Sequence, residues 1–361
     1  MSFESGSVTM RPFISQQELE EDSSILFLAH ALPFTENVQE AVGWTGTKHL
    51  LERDIADYSI KKAGHLHINL VKAERKIPPS LLKTECKIEE IAEMSATGNQ
   101  FLKRQARAEI KKAVTDRLLP QMPLTLSAVE TAGCSDGHTY LSTATSDSNV
   151  DSLCSLWKET LQSDIIPLTP EVSALHHHQV QLNDFRSASF SPTGELSPDS
   201  RVGDDFLTWL WYHAETQGGM IGKDSEFAVL FEGPLTFVHE GMGAHETILR
   251  KGMPTASLEA KQALTAGKKL RKAKLTVARG EDVFSFNLDS LEWVFSGMKI
   301  PTDKTLDPIS RFQARVLAIE QLLQVLVGVY GEFLSLLEDG TLKESVVADM
   351  REWISDRVGK A

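Results

Sequence analysis

Residues 64–120 read GHLHINLVKAERKIPPSLLKTECKIEEIAEMSATGNQFLKRQARAEIKKAVTDRLLP, and the periodicity of this stretch changes partway along. From Gly64 to Lys72 the residues alternate as in a strand: His65, His67, Asn69 and Val71 share one face, and Leu66, Ile68 and Leu70 the other. Pro78-Pro79 then opens a helix, since proline at the first helical position gives up an N–H that has no intrahelical acceptor. Leu81, Ile88, Ile91 and Ala92 fall within an arc of about 100°, which predicts one packed side. Gly98-Asn99 breaks this helix, and a second one runs from about Gln100 to Leu119, where Pro120 ends the pattern. On it Lys103, Arg104, Arg107 and Lys111 occupy one quadrant, and Leu102, Ala106, Ile110 and Ala113 another. A helix of that length spans roughly 30 Å. A strand feeding an antiparallel pair of charged helices predicts an α+β fold, with antiparallel sheets and a helix-pair finger.

Before this stretch, Ser5 to Phe13 alternates like a strand, and Ser15 with Glu18 has capping-box spacing for a helix reaching about Leu32. After it, Leu124–Glu130 and His138–Thr145 read as a hairpin around Ser135-Asp136-Gly137, followed by a helix from about Asn149 to Leu161 and then Asp164–Leu168. Residues 171–203, rich in Ser, Pro and Gly, read as a mobile insert. Asp204-Asp205 has the chemistry of a cap for a helix whose apolar face is Phe206, Leu207, Leu210, Trp211 and Ala214, with the tryptophans in the core. Strands are expected at Glu226–Phe231, Leu235–Val238 and His245–Lys251, then a helix from Pro254 to Gly267. A hairpin of Lys268–Ala278 with Val283–Leu288 follows. Phe312, Val316, Ile319, Leu323, Leu326, Tyr330, Phe333 and Leu337 repeat at alternating steps of four and three, a long C-terminal helix whose seam needs a partner. Packing within the subunit is the first expectation and a dimer interface the second.

The organisation expected is therefore an N-terminal part of a central domain (1–75), a charged helical finger (76–123), a hairpin and helix completing the central domain (124–170), a flexible insert (171–203), and a C-terminal α+β base domain (204–361).

Apolar residues make up 41% and charged residues 24% of the chain, ordinary values for a folded protein. Cys86, Cys134 and Cys154 are widely spaced and odd in number, which fits a reducing compartment. Met1–Pro12 lacks the pattern of a secretory leader and no run of 18 apolar residues occurs, so a cytoplasmic protein without a membrane span is expected. The net charge is −13, which taken alone argues against a nucleic-acid partner. Its distribution argues the other way. Lys61–Arg117 holds 13 Lys/Arg against 7 Asp/Glu, and Arg250–Arg279 holds 9 against 1, leaving −27 on the rest of the chain. Two basic segments in an acidic chain suit a polyanion, duplex DNA first, although each could instead be a solvated face.

No catalytic or metal motif accompanies this charge pattern. His176-His177-His178 cannot converge on one ion from regular structure, and His65 with His67 lacks a third ligand and reads as a satisfied surface pair. His239-Glu240 and His245-Glu246 do not make the HExxH of a zinc protease, and Gln262 and Lys269 spoil a phosphate loop ending at Gly267-Lys268. Glu85-Cys86-Lys87 and Glu259-Ala260-Lys261 have the E-x-K spacing of a metal-dependent nuclease, but both lie in expected helices. No cofactor is expected.

The block from Gly64 to Leu168 resembles the recombination-associated protein RdgC family. The order is a strand leading to Glu74-Arg75-Lys76-Ile77-Pro78, two charged helices, Leu118-Leu119-Pro120, a hairpin, a helix and Ile166-Pro167-Leu168. Arg250-Lys251 through Ala266-Gly267-Lys268 and Leu275 resembles the family's later basic helix and strand. The resemblance implies a sequence-nonspecific duplex-DNA binder, a ring-shaped homodimer that restrains RecA-driven recombination at the nucleoid. It implies no established catalytic centre. Arg250 and Lys251 fall on the basic pair expected near the ring's inner wall. The charge argument adds Lys76, Lys103, Arg104, Arg107, Lys111, Lys268, Lys269, Arg271, Lys272 and Lys274. The resemblance also puts a basic residue and an aromatic at a finger tip after Leu-Leu-Pro, where this chain has Gln121-Met122-Pro123. The rival expectations are a Mg²⁺-dependent exonuclease using Glu85 or Glu259, and a protein-interaction scaffold that binds no DNA.

Overall fold

A computed structural model describes residues 2–20, 22–33, 39–183, 185–191, 201–222, 226–239, 245–252, 254–303 and 305–358. The fold is α+β with a large antiparallel sheet and a long helix near its C-terminal end. The chain divides into two compact units. The first holds Met1–Leu19, Lys61–Leu66 and Glu130–Ala361, the second Glu20–Ile60 and His67–Val129. Residues 184 and 192–200 of the expected insert lie outside the described residues.

The strands are β1 (Val8–Ser15), β2 (Glu40–Thr45), β3 (Lys61–Lys62), β4 (His65–Arg75), β5 (Leu124–Gly133), β6 (Thr139–Ser142), β7 (Ile165–Pro167), β8 (Met220–Ile221), β9 (Phe227–His239), β10 (His245–Leu249), β11 (Lys269–Arg279), β12 (Asp282–Asp289), β13 (Val294–Lys299), β14 (Leu337–Glu338) and β15 (Thr341–Leu342). The helices are α1 (Ser23–Ala29), α2 (Asp57–Ile60), α3 (Pro79–Thr97), α4 (Arg104–Leu118), α5 (Asp147–Leu161), α6 (Pro170–His178), α7 (Val202–Thr216), α8 (Leu258–Thr265), α9 (Pro308–Leu334) and α10 (Glu344–Val358).

In the first unit the strands run β10-β9-β11-β12-β13-β1-β6, all antiparallel, with β7 also on β1 and β8 on β9. The expected strands on either side of Gly233-Pro234 are one strand, β9. Opposite β11 the register passes from Glu232 to Leu235, so Gly233 and Pro234 form a bulge where proline's missing N–H breaks no ladder bond. Ser15, read as a helix cap, is the last residue of β1. Its amide donates to the His138 carbonyl at 2.9 Å, and the helix starts later, at Ser23. The hairpin turn is as expected: Asp136 Oδ1 accepts from the His138 and Thr139 amides at 3.0 and 2.8 Å.

The seam of α9 is buried from Phe312 to Phe333 within this chain, against the sheet, α6 and α7. Asp307 caps the helix, accepting from the Ile309 and Ser310 amides. Its length and composition would suit a membrane span, yet it carries a buried arginine. Arg315 donates to the carbonyls of Phe3 and Gly6 at 2.7 and 2.8 Å and to Thr302 Oγ1, tying the first residues of the chain to the helix. Residues 171–178, expected in a loop, are helical because Thr169 caps α6 by accepting from the Val172 amide and Pro170 occupies its first turn. His178 Nε2 donates to the Val327 carbonyl at 3.0 Å, and a Cβ on Gly331 would meet the imidazole at 2.4 Å, so glycine is what lets α6 approach α9.

Asp204 and Asp205 do not cap α7 with their side chains; both are buried in its first turn. Trp209 and Trp211 lie in the core, as expected.

In the second unit β2 pairs with β4, and Phe27 meets Trp44 edge to face at 5.2 Å. His65, which belongs to the first unit, and His67, in the second, are not a surface pair. Both are buried, because β4 is covered on each face, and His65 Nδ1 donates to the Gly133 carbonyl at 3.0 Å. The helix pair forms as expected with two differences. No residue of α3 is buried, so Ile88 and Ile91 are about half exposed instead of packed. The second helix starts at Arg104 and not Gln100, and is 15 residues long.

Candidate nucleic-acid interface

Between α3 and α4 the chain reverses through Gly98, whose φ of 67° is the left-handed conformation that glycine adopts without strain. Phe101 in this turn is 79% exposed, and Lys103 takes the extended conformation that starts α4. From Arg104 the 3.6-residue repeat puts Arg104, Arg107 and Lys111 within about 60° of one another. All three are exposed, as are Lys103 and Lys112, and none of the five makes an ion pair among the described residues. Val114 is the one fully buried residue of α4; Ala106 and Ile110 are half-buried in line with it at steps of four, whereas Ala113 is exposed.

An ion-paired cluster joins the two helices toward the other end of the pair. Arg117 donates to Glu89 Oε1 and Glu85 Oε2, both at 2.9 Å, joining the last turn of α4 to the middle of α3. The chain reverses between the two helices over 98–103, where Phe101 and Lys103 sit; after Leu118-Leu119-Pro120 stand Gln121-Met122-Pro123, neither basic nor aromatic. The Leu-Leu-Pro sequence forms the opposite end. Leu119–Gln121 is a single tight turn, and the Met122 carbonyl accepts from the Arg75 guanidinium. Lys76, just after β4, is exposed and paired with Glu74.

The second basic segment is arranged differently. Arg250 and Lys251 follow the end of β10 and are exposed without an ion pair among the described residues. Lys268 Nζ donates to Thr247 Oγ1 at 2.6 Å. Lys269, expected at the DNA surface, is 3% exposed. Its ammonium is paired with Asp205, donates to Ser187 Oγ, and lies 4.8 Å from the centre of the Phe190 ring. Asp205 Oδ2 in turn accepts from the Ala188 amide at 2.9 Å. Lys269 is a core residue because burying the Asp205 carboxylate requires a cation beside it.

Farther along β11 the cations face outward but meet acids on the neighbouring strands. Lys272 is opposite Asp289 on β12, and Lys274 is opposite Glu232 on β9. The pairs close at 2.8 and 2.5 Å, and Arg271 lies 3.7 Å from the same Asp289. The hydrogen bond from Lys274 holds the Glu232 carboxyl below its ordinary range. Exposed cross-strand pairs of this kind leave little positive field for a ligand.

Sequence reasoning missed Phe101 and Lys112. The Asn99-Gln100-Phe101-Leu102-Lys103 run between two helices was the available signal for the first. Among the described residues no group of three His, Cys, Asp or Glu side chains is placed to hold a metal ion. Glu85 is engaged by Arg117, and Glu259 lies in the first turn of α8. No family model matches this chain, and no curated protein matches it.

Proposed function

We propose that this protein binds duplex DNA through its phosphate backbone without reading sequence, and that α4 is the main contact. The observation that carries the reading is the stripe of Arg104, Arg107 and Lys111, exposed and without an acidic partner among the described residues of an acidic chain. Lys103 and Phe101 flank it at the reversal between the helices. Arg and Lys held on one side of a helix release counterions from a phosphate backbone, and an exposed aromatic beside them can lie against sugars or bases. Arg250 and Lys251 supply a second, smaller cationic patch, with Lys76 and Lys268, Arg271, Lys272 and Lys274 as peripheral contributors. Lys269 is excluded by its burial.

Membership of the RdgC family is part of this proposal, resting on the order of elements from β4 to β7. So are a homodimer that encircles DNA with both basic segments facing its channel, a location in the cytoplasm at the nucleoid, competition with a RecA filament for the duplex, and the absence of catalysis.

Gel shifts with random-sequence duplexes over a salt series test the reading. The wild type is expected to bind at low salt and weaken steeply as salt rises, with little preference among sequences. Labelled duplex incubated with Mg²⁺ is expected to remain intact, and cleavage lost on Glu85→Gln or Glu259→Gln would establish the nuclease instead. No affinity at low salt would leave the scaffold reading.

A further inference from the structure

The outward face of α9 forms one wall of a groove, separate from the cationic residues above. Two clefts of about 630 and 760 Å³ adjoin there, sharing Phe227, Arg279 and Gln321. Along the helix Leu317, Gln321, Gln324 and Gly328 are exposed to the groove, with Ala314, Ala318 and Val325 half-buried beside them, so two glutamines interrupt the apolar stripe. Their steps of three and four keep them on one side of α9, and from Ala314 to Gly328 the groove runs about 21 Å, or four helical turns. Phe227 and Phe284 contribute to the facing wall.

The rim is acidic. Glu226, Glu281, Asp282, Asp303 and Glu332 line the two clefts, with Arg279 the one cation among the described lining residues. That arginine is already engaged: it donates to Gln321 Oε1 at 3.1 Å, lies 3.8 Å from Glu226 Oε2, and its guanidinium is 5.2 Å from the centre of the Phe227 ring.

We infer that this groove is a docking site for a cationic amphipathic helix of a partner protein, one that presents an apolar stripe at i, i+3, i+4 and i+7 between Lys or Arg flanks. Three features select that occupant. The groove length matches a helix of about four turns. β11 and β12 each have a paired strand on either side, so the facing wall offers no free edge for an extended peptide. The acidic rim excludes the other candidates by charge. In a two-fold pairing of identical copies the same patch meets itself, acid against acid, and an anionic membrane or nucleic acid would be repelled likewise.

A labelled 18-residue helical peptide of Leu and Lys, with Leu at i, i+3, i+4 and i+7, is the probe, read by fluorescence anisotropy without DNA. No heavy atom lies within 4 Å of a Cβ built on Gly328, so Gly328→Leu fills the groove without a clash, and a wild-type or higher Tm would verify its fold. The proposal expects the Leu/Lys peptide to bind wild type, at least about tenfold weaker binding to Gly328→Leu and to Glu281→Lys/Asp282→Lys, and no binding of a Leu/Glu peptide of equal length. Failure of the Leu/Lys peptide to bind, equal affinity for wild type and Gly328→Leu, or equal binding of the Leu/Glu peptide would overturn it. A wild-type dimer that Gly328→Leu converts to a monomer would also overturn it, making this face a contact between copies.

Discussion

Helix α4 and strand β11 both carry dense positive charge in the sequence, and the fold treats that charge in opposite ways. On α4 the neighbouring residues that matter are those one turn away, so Arg104, Arg107 and Lys111 reinforce one another and face solvent. On β11 they belong to the flanking strands, and the register puts Glu232 and Asp289 beside Lys274 and Lys272 and sends Lys269 inward to Asp205. A count of lysines and arginines along a chain measures available charge. The strand or helix that holds them decides how much of it reaches a ligand.

The largest effect expected from breaking this contrast is on stability. Lys269→Ala or Asp205→Ala leaves an unpaired buried charge and should cost about 3–5 kcal/mol in denaturant unfolding, while the folded fraction keeps wild-type DNA affinity. Wild-type stability with lost DNA binding would instead place Lys269 at the interface. Next, Arg104→Gln/Arg107→Gln/Lys111→Gln should weaken duplex binding by at least about tenfold at low salt, equally for all sequences. The same substitutions should change stability by no more than about 0.5 kcal/mol, because the three side chains are exposed. The contrast sharpens in the other direction with Glu232→Gln/Asp289→Asn, which frees the β11 lysines. DNA affinity should rise by a few-fold, roughly the weight of one or two added phosphate contacts. An unchanged affinity would put β11 outside the bound duplex.

The smallest effect concerns pH. Burial against Trp209 lowers the His213 pKa, and burial together with His176 and His178 pushes His177 down to about 4. A histidine whose folded pKa is depressed is protonated first in the unfolded chain. Its stabilising contribution is therefore complete above about 6.5 and lost as pH falls toward the folded value. Tm should decline from pH 7 to pH 5, and His177→Gln/His213→Gln should make that decline shallower; an identical slope would remove these two groups as its cause.

The local features were legible because their causes lie within a few residues. The alternation of β4, the break at Gly98, the Asp136 turn and the seam of α9 each formed where the residues indicate. The misreadings share a nonlocal cause. Ser15 has the spacing of a capping box, but pairing with the chain around His138 holds it in a strand. Asp204-Asp205 has the chemistry of a cap, but burial beside Lys269 overrides it. Of the candidate site, the α4 stripe followed from helical spacing alone, since among the described residues no acid forms an ion pair with it. The β11 lysines could not be sorted, because their partners lie 42 residues before or 17 after them in the chain and only the register brings them together.

The central claim is that α4 is the main contact with the phosphate backbone and β11, its cations already paired, a peripheral one. The direct test is the dependence of log K on log salt for a random-sequence duplex, compared among wild type, the Arg104/Arg107/Lys111 triple variant and Lys272→Gln/Lys274→Gln. The slope should become shallower by about 3 in the triple variant and by less than about 1 in the β11 variant. A wild-type slope in the triple variant together with a flattened slope in the β11 variant would contradict the account.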